Sequence, residues 1–124
     1  MDSLRMWREY FSKGEIVGVD IDPPASPVAG CEVVRMHQAD RATIEARWPD
    51  QHFDIIIDDG SHILEDQVLS LIWLWPKLKP GGVYIIEDIQ QIDFAKYFAQ
   101  LHGLTLDRRH IKRRGDDILV VLSK

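Results

Sequence analysis

Residues 54–62, DIIIDDGSH, carry three isoleucines straight into two carboxylates, a glycine, a hydroxyl and an imidazole. A second apolar run, VYIIED, ends the same way at Glu87 and Asp88. If the two runs are neighbours, four carboxylates crowd one rim. Two like charges about 4 Å apart repel by roughly 4 kcal/mol at an effective dielectric near 20. Protonation, a basic partner or a cation must relieve that cost. An all-oxygen donor set suits a hard divalent ion such as Mg²⁺. The competing reading is that these acids cap the helices that follow and face water. His62 is open in the same way: a partly exposed polar residue in a helix's first turn, or a general base beside a metal rim. Ser61 reads as a helix cap rather than a nucleophile, because DDGSH lacks the G-x-S-x-G frame. Asp20 closes the run EIVGVD and is either a ribose-binding acid or a turn residue before Pro23 and Pro24. Asp40 is the weakest of these candidates.

Strands must deliver these groups. FDIIIDD has no polar alternation, and continuous apolar runs of this kind belong to parallel sheets covered on both faces. EIVGVDID and CEVVRMHQAD read as two more strands, the second ending near Asp40. The spacing of Leu4, Trp7 and Phe11 predicts a helix over SLRMWREYFSK, with Ser3 as N-cap and Gly14 as the stop. ATIEARWP is a short helix closed by Pro49. Residues 62–78 form a further helix, with Leu64, Val68, Leu71, Ile72 and Trp75 on its apolar stripe and Ser61 as its cap. KPGG is a turn. DFAKYFAQLHG is a helix stopped by Gly103, and LTLDRRHI and DILVVLSK are closing strands around a turn at Gly115 and Asp116. This alternation predicts an open, mostly parallel α/β sheet with right-handed crossovers. Ligands bind such sheets at the carboxyl ends of the strands, where Asp58 and Asp59 lie.

The whole composition sets limits. The 124 residues allow one modest domain. With 45% hydrophobic and 28% charged residues, the chain has a globular profile. A net charge of −5 argues against a general nucleic-acid or membrane-surface role. The basic run RRHIKRR, residues 108–114, is flanked by Asp107, Asp116 and Asp117 and reads as a solvated, charge-protected sheet edge. Trp73 and Trp75 read as packing residues. The single cysteine, Cys31, excludes a disulfide framework and predicts a cytoplasmic location. No apolar stretch approaches a membrane span, and the charged N-terminus is unlike a signal peptide.

Taken together, GVDIDPPA, FDIIIDDGSH, LWPKLKPGGVYIIEDI and SLRMWREYF resemble the class I S-adenosylmethionine-dependent methyltransferases. Among them the chain is most similar to the metal-dependent sugar O-methyltransferases of macrolide antibiotic pathways and the related cephalosporin hydroxylase-associated proteins. The resemblance runs from about residue 3 to residue 90. IDDGSH with IEDI downstream carries it far more specifically than KPGG. It implies a three-layer Rossmann-like sheet with an antiparallel C-terminal strand pair. It implies Asp59, Glu87 and Asp88 as Mg²⁺ ligands and His62 as the base for an acceptor hydroxyl. Asp20 would hold the ribose of S-adenosylmethionine, Asp40 would lie near its adenine, and Asp58 beside its methionine portion. The expected activity is O-methylation of a sugar or other natural-product hydroxyl.

That family's first strand and glycine-rich turn would precede Ser3, and no glycine precedes Gly14. The resemblance therefore implies a partial domain lacking the central strand between those ending at Asp20 and Asp59. Two expectations follow. As a monomer the chain binds S-adenosylmethionine weakly or not at all. It also forms a homo-oligomer, or else the strands ending at Asp20 and Asp59 pair directly. The alternative function is a non-catalytic relic of the fold acting through self-assembly or partner binding.

Overall fold

The computed structural model describes all residues except Met1, Pro27, His102 and 113–116, and not the side chains of Asp2 and Lys112. The expected turn at Gly115 and Asp116 lies outside the described residues. The chain divides into two compact units, Met1–Gln38 and Ala39–Lys124.

In the first unit, α1 (Asp2–Tyr10) precedes β1 (Ile16–Asp20) and β2 (Cys31–Arg35). The helix starts before Ser3, which therefore sits in its first turn rather than at the N-cap. It ends earlier than expected, at Tyr10, and the Gly14 N–H donates to the Phe11 carbonyl at 3.0 Å. Leu4 is buried, and Trp7 stacks on Phe11 with ring centroids 5.9 Å apart. A Cβ on Gly18 would fall 2.5 Å from Leu4 Cδ1, so the close approach of α1 to β1 requires glycine. Arg8 ties the end of α1 to the turn before β2: its guanidinium donates to the Phe11, Gly14 and Gly30 carbonyls. The strands pair in parallel from Ile16↔Cys31 to Asp20↔Arg35.

The second unit contains α2 (Arg41–Arg47), β3 (Phe53–Asp58), α3 (Leu64–Leu74), β4 (Leu78–Ile86), α4 (Ile92–Ala99), β5 (Gly103–Asp107), α5 (Arg109–Lys112) and β6 (Ile118–Ser123). Its sheet has the order β3-β4-β6-β5. β3 and β4 are parallel, while β6 runs antiparallel to both β4 and β5, which supplies the expected C-terminal antiparallel pair. Among the described residues β1 pairs with β2, and β3 with β4. The core is built by alternation: Tyr84 and Ile86 of β4, and Ile118, Val120 and Leu122 of β6, are fully buried. Each such side chain contributes roughly 1.5–3 kcal/mol of hydrophobic stabilisation. Phe98 of α4 packs among them.

Local details depart from expectation. The helix expected over 62–78 is shorter, and passes through a 3₁₀ turn at Trp75–Lys77 because Pro76 cannot continue the α-helical ladder. Ile72, assigned to its apolar stripe, is 49% exposed. The buried positions on that face include Gln67 and Ser70 instead. KPGG lies within β4 rather than before it. The pairing jumps from Phe53↔Leu78 to Ile55↔Val83, so residues 79–82 bulge out, with Gly81 at φ 80°. The strand expected over LTLDRRHI stops at Asp107. Asp107 then accepts bonds from the Arg109 backbone N–H and guanidinium, which begins α5.

Candidate functional site

The parallel register sets Asp58 opposite Ile86, so the residues after each strand leave the sheet side by side. The Glu87 N–H donates to the Asp58 carbonyl at 2.9 Å, which extends the ladder one step past β4. Asp59 and Asp88 then flank His62. Its Nε2 lies 3.3 Å from Asp59 Oδ1 and 3.9 Å from Asp88 Oδ2. One donor atom from each of these three residues lies within 4.8 Å of the others. That spacing and chemistry fit one divalent cation held by the two carboxylates, with the imidazole beside it. Asp59 is exposed, while His62 and Asp88 are half-buried. His62 and Asp88 adopt φ of 59° and 51°, in the left-handed region that is uncommon for side chains other than glycine.

Glu87, the third carboxylate expected in the metal set, is not part of this three-residue cluster. Its backbone is fixed instead: the buried Gln67 side chain donates to the Glu87 carbonyl at 3.2 Å. Ser61 does not cap α3. The residue at the cap position is Ile63, whose N–H donates to the Ser61 hydroxyl at 3.2 Å, and that hydroxyl donates to Asp66 at 2.7 Å.

Asp58 lies beneath the cluster and is 5% exposed. Burial pushes its carboxyl up to about 6, against smaller lowering effects from the Ser70 hydroxyl, the Gly60 N–H and nearby His62. Ser70 continues into the core through a 3.0 Å hydrogen bond to the Tyr84 hydroxyl. Burial raises the Tyr84 phenol well above its ordinary value, with the neighbouring Asp58 carboxylate adding to the effect.

The remaining acids occupy local roles. Asp40 is the N-cap of α2: its carboxylate accepts from the Thr43 N–H at 3.2 Å and from the Thr43 hydroxyl at 2.7 Å. Asp20 ends β1 and accepts from the Asp22 N–H at 2.8 Å, a turn-forming bond. Sequence reading missed Gln67 and the Ser70–Tyr84 pair. The available signal was a glutamine and a serine on an otherwise apolar helical face, a pattern that does not reveal what they touch.

Residues 3–89 match the family described as "Methyltransferase domain". The chain belongs to that methyltransferase domain family. Among curated relatives, 93 residues are 42% identical to the 8-demethyl-8-alpha-L-rhamnosyl tetracenomycin-C 2'-O-methyltransferase of Streptomyces olivaceus, covering 71% of this chain and 24% of that protein. The demethylmacrocin O-methyltransferase of Streptomyces fradiae is 42% identical over 91 residues, or 70% of this chain and 22% of the relative. The chain thus spans about a quarter of the length of these relatives. The solved MycE methyltransferase of the mycinamycin biosynthetic pathway, in complex with Mg, SAH and mycinamycin VI, superposes with a TM-score of 0.71 at 26% identity. That match covers 97% of this chain and 39% of MycE. The expected Rossmann-like methyltransferase fold is therefore present, as a mixed sheet with helices. Among the described residues, no helix of the methyltransferase domain is long and apolar enough to cross a membrane.

Proposed function

We propose that this chain is part of a single methyltransferase domain, the catalytic part of an S-adenosylmethionine- and Mg²⁺-dependent O-methyltransferase. Its acceptor is a hydroxyl of a sugar on a natural product. The observation that carries this reading is the meeting of Asp59, His62 and Asp88 at the ends of two parallel strands. The names of the relatives, all O-methyltransferases, supply the substrate class.

Asp59 and Asp88 would hold the cation, with Glu87 completing the set from the backbone segment beside them. A bound Mg²⁺ stabilises a developing alkoxide and orients it. The cofactor supplies an electrophilic methyl group on sulfur. His62, beside the two carboxylates, would accept the hydroxyl proton. Holding the acceptor oxygen in line converts an encounter into a near-unimolecular step. The cofactor contacts proposed for Asp20, Asp40 and Asp58 rest on the resemblance. A homo-oligomer is part of the same reading, which rests on the resemblance.

Calorimetric titration of Mg²⁺ and Mn²⁺ into the chain tests the metal assignment. Wild type should give saturable heat and Asp59→Ala should give none, with unchanged circular dichroism. Equal, negligible heats in both would defeat it. In a methyl-transfer assay with S-adenosylmethionine and a rhamnosyl glycoside, a chelator should abolish product. His62→Ala should slow turnover by roughly 10²–10⁴-fold with little change in cofactor affinity. A His62→Ala variant at near-normal rate would remove His62 from the mechanism.

A further inference from the structure

The segment 87–89 must hold Asp88 in a left-handed backbone conformation while presenting its carboxylate to Asp59 and His62. A residue other than glycine persists there only where its surroundings over-determine it. Three hydrogen bonds do so in succession. The Glu87 N–H donates to the Asp58 carbonyl at 2.9 Å, and the Ile89 N–H donates to the Ile118 carbonyl at 3.0 Å. Between them, the Glu87 carbonyl accepts from Gln67 Nε2 at 3.2 Å. The first and last are backbone bonds that follow from the sheet. The middle one depends on a side chain and therefore on the sequence.

Gln67 is built for that task. It sits within α3, is 1% exposed, and spends a buried amide on a carbonyl of a different element. Burying an amide is costly unless its hydrogen bonds are made. A leucine or methionine would fill the same helical face without that demand, so packing alone does not account for the choice. The bond falls on the peptide linking Glu87 to Asp88, the peptide whose orientation sets where the Asp88 side chain emerges.

We propose that Gln67 is a positioning residue: through the Glu87 carbonyl it fixes the peptide before Asp88, and so fixes the geometry of the Asp59–His62–Asp88 cluster. The inference deepens the metal reading above and rests on it for its purpose. Residues that orient metal ligands without touching the metal typically contribute 10–100-fold in affinity.

The test uses the full chain, with Gln67→Met as a near-isosteric variant lacking the donor and Gln67→Asn as one whose donor is withdrawn. Val68→Ala, on the same helix, controls for general loss of packing. Amide hydrogen exchange on metal-free protein should be about 5–10-fold faster at residues 87–89 in both Gln67 variants, with β6 unchanged. Val68→Ala should leave residues 87–89 no faster than the rest of the sheet. Mn²⁺ affinity should fall roughly 10–100-fold in the Gln67 variants and stay within twofold in Val68→Ala. Unchanged exchange at residues 87–89, or equal Mn²⁺ affinity in wild type and Gln67→Met, would overturn the proposal. A wild type that takes up no Mn²⁺ would overturn the metal reading and the role drawn from it. That outcome is told apart because it concerns the wild-type titration alone.

Discussion

Asp58 shows how one buried carboxyl couples the site to stability. Its folded-state value is raised to about 6 from an ordinary 3.8, first because burial penalises the charged form. Between those values the folded chain holds a proton that the unfolded chain has released. Stability therefore falls as pH rises from about 4 to about 6, then levels off. A shift near two units corresponds to about 3 kcal/mol. In chelator-treated, metal-free protein, Asp58→Asn should remove this slope, and urea unfolding at several pH values measures it. Identical pH dependence in wild type and variant would show that Asp58 is not the group responsible.

At the scale of elements, an ion pair ties the end of β5 to the start of β6. Asp117 is 1% exposed, and Arg108 meets its Oδ1 with two nitrogens at 3.0 and 2.7 Å. The Arg108 N–H also donates to the Asp117 carbonyl at 2.8 Å. Removing one partner of a buried pair leaves an uncompensated charge and costs about 3–5 kcal/mol. Because Arg108 is partly exposed, Arg108→Met should destabilise the chain by about 3 kcal/mol, the lower end of that range, read by thermal or urea unfolding. A loss below about 1 kcal/mol would place this pair with ordinary surface salt bridges.

On the scale of the whole molecule, the two units differ in what they can bury. The larger holds a contiguous core including Leu78, Tyr84, Phe98, Val120 and Leu122. The buried apolar residues of the smaller, among those described, are Leu4 of α1, Val34 of β2, and Val28 and Met36 in the segments flanking β2. Units below about 40 residues rarely bury enough surface for independent stability. Amide protection should therefore be lower in β1 and β2 than in β4 and β6, by at least tenfold in exchange rate. Equal protection would mean that both units unfold as one cooperative body.

The sequence by itself determined the element order apart from α5, the two apolar strands that end in acids, and Asp58, Asp59, Glu87 and Asp88 with His62 as candidates. Those follow from local rules: apolar runs make buried strands, and strand ends in α/β sheets carry ligand chemistry. The resemblance then picked Asp59, Glu87 and Asp88 as the metal set, but where the Glu87 side chain goes depends on the strained peptide after β4, which no local pattern encodes. Tertiary structure decided that Asp40 caps α2, that KPGG bulges out of a strand, and that RRHI turns helical after Asp107. It also decided that Gln67 and Ser70 turn inward on an apolar helix while Ile72 turns outward. The reason is physical. Helical periodicity fixes which residues share a face, but only the packed neighbours determine which polar atoms on that face find partners.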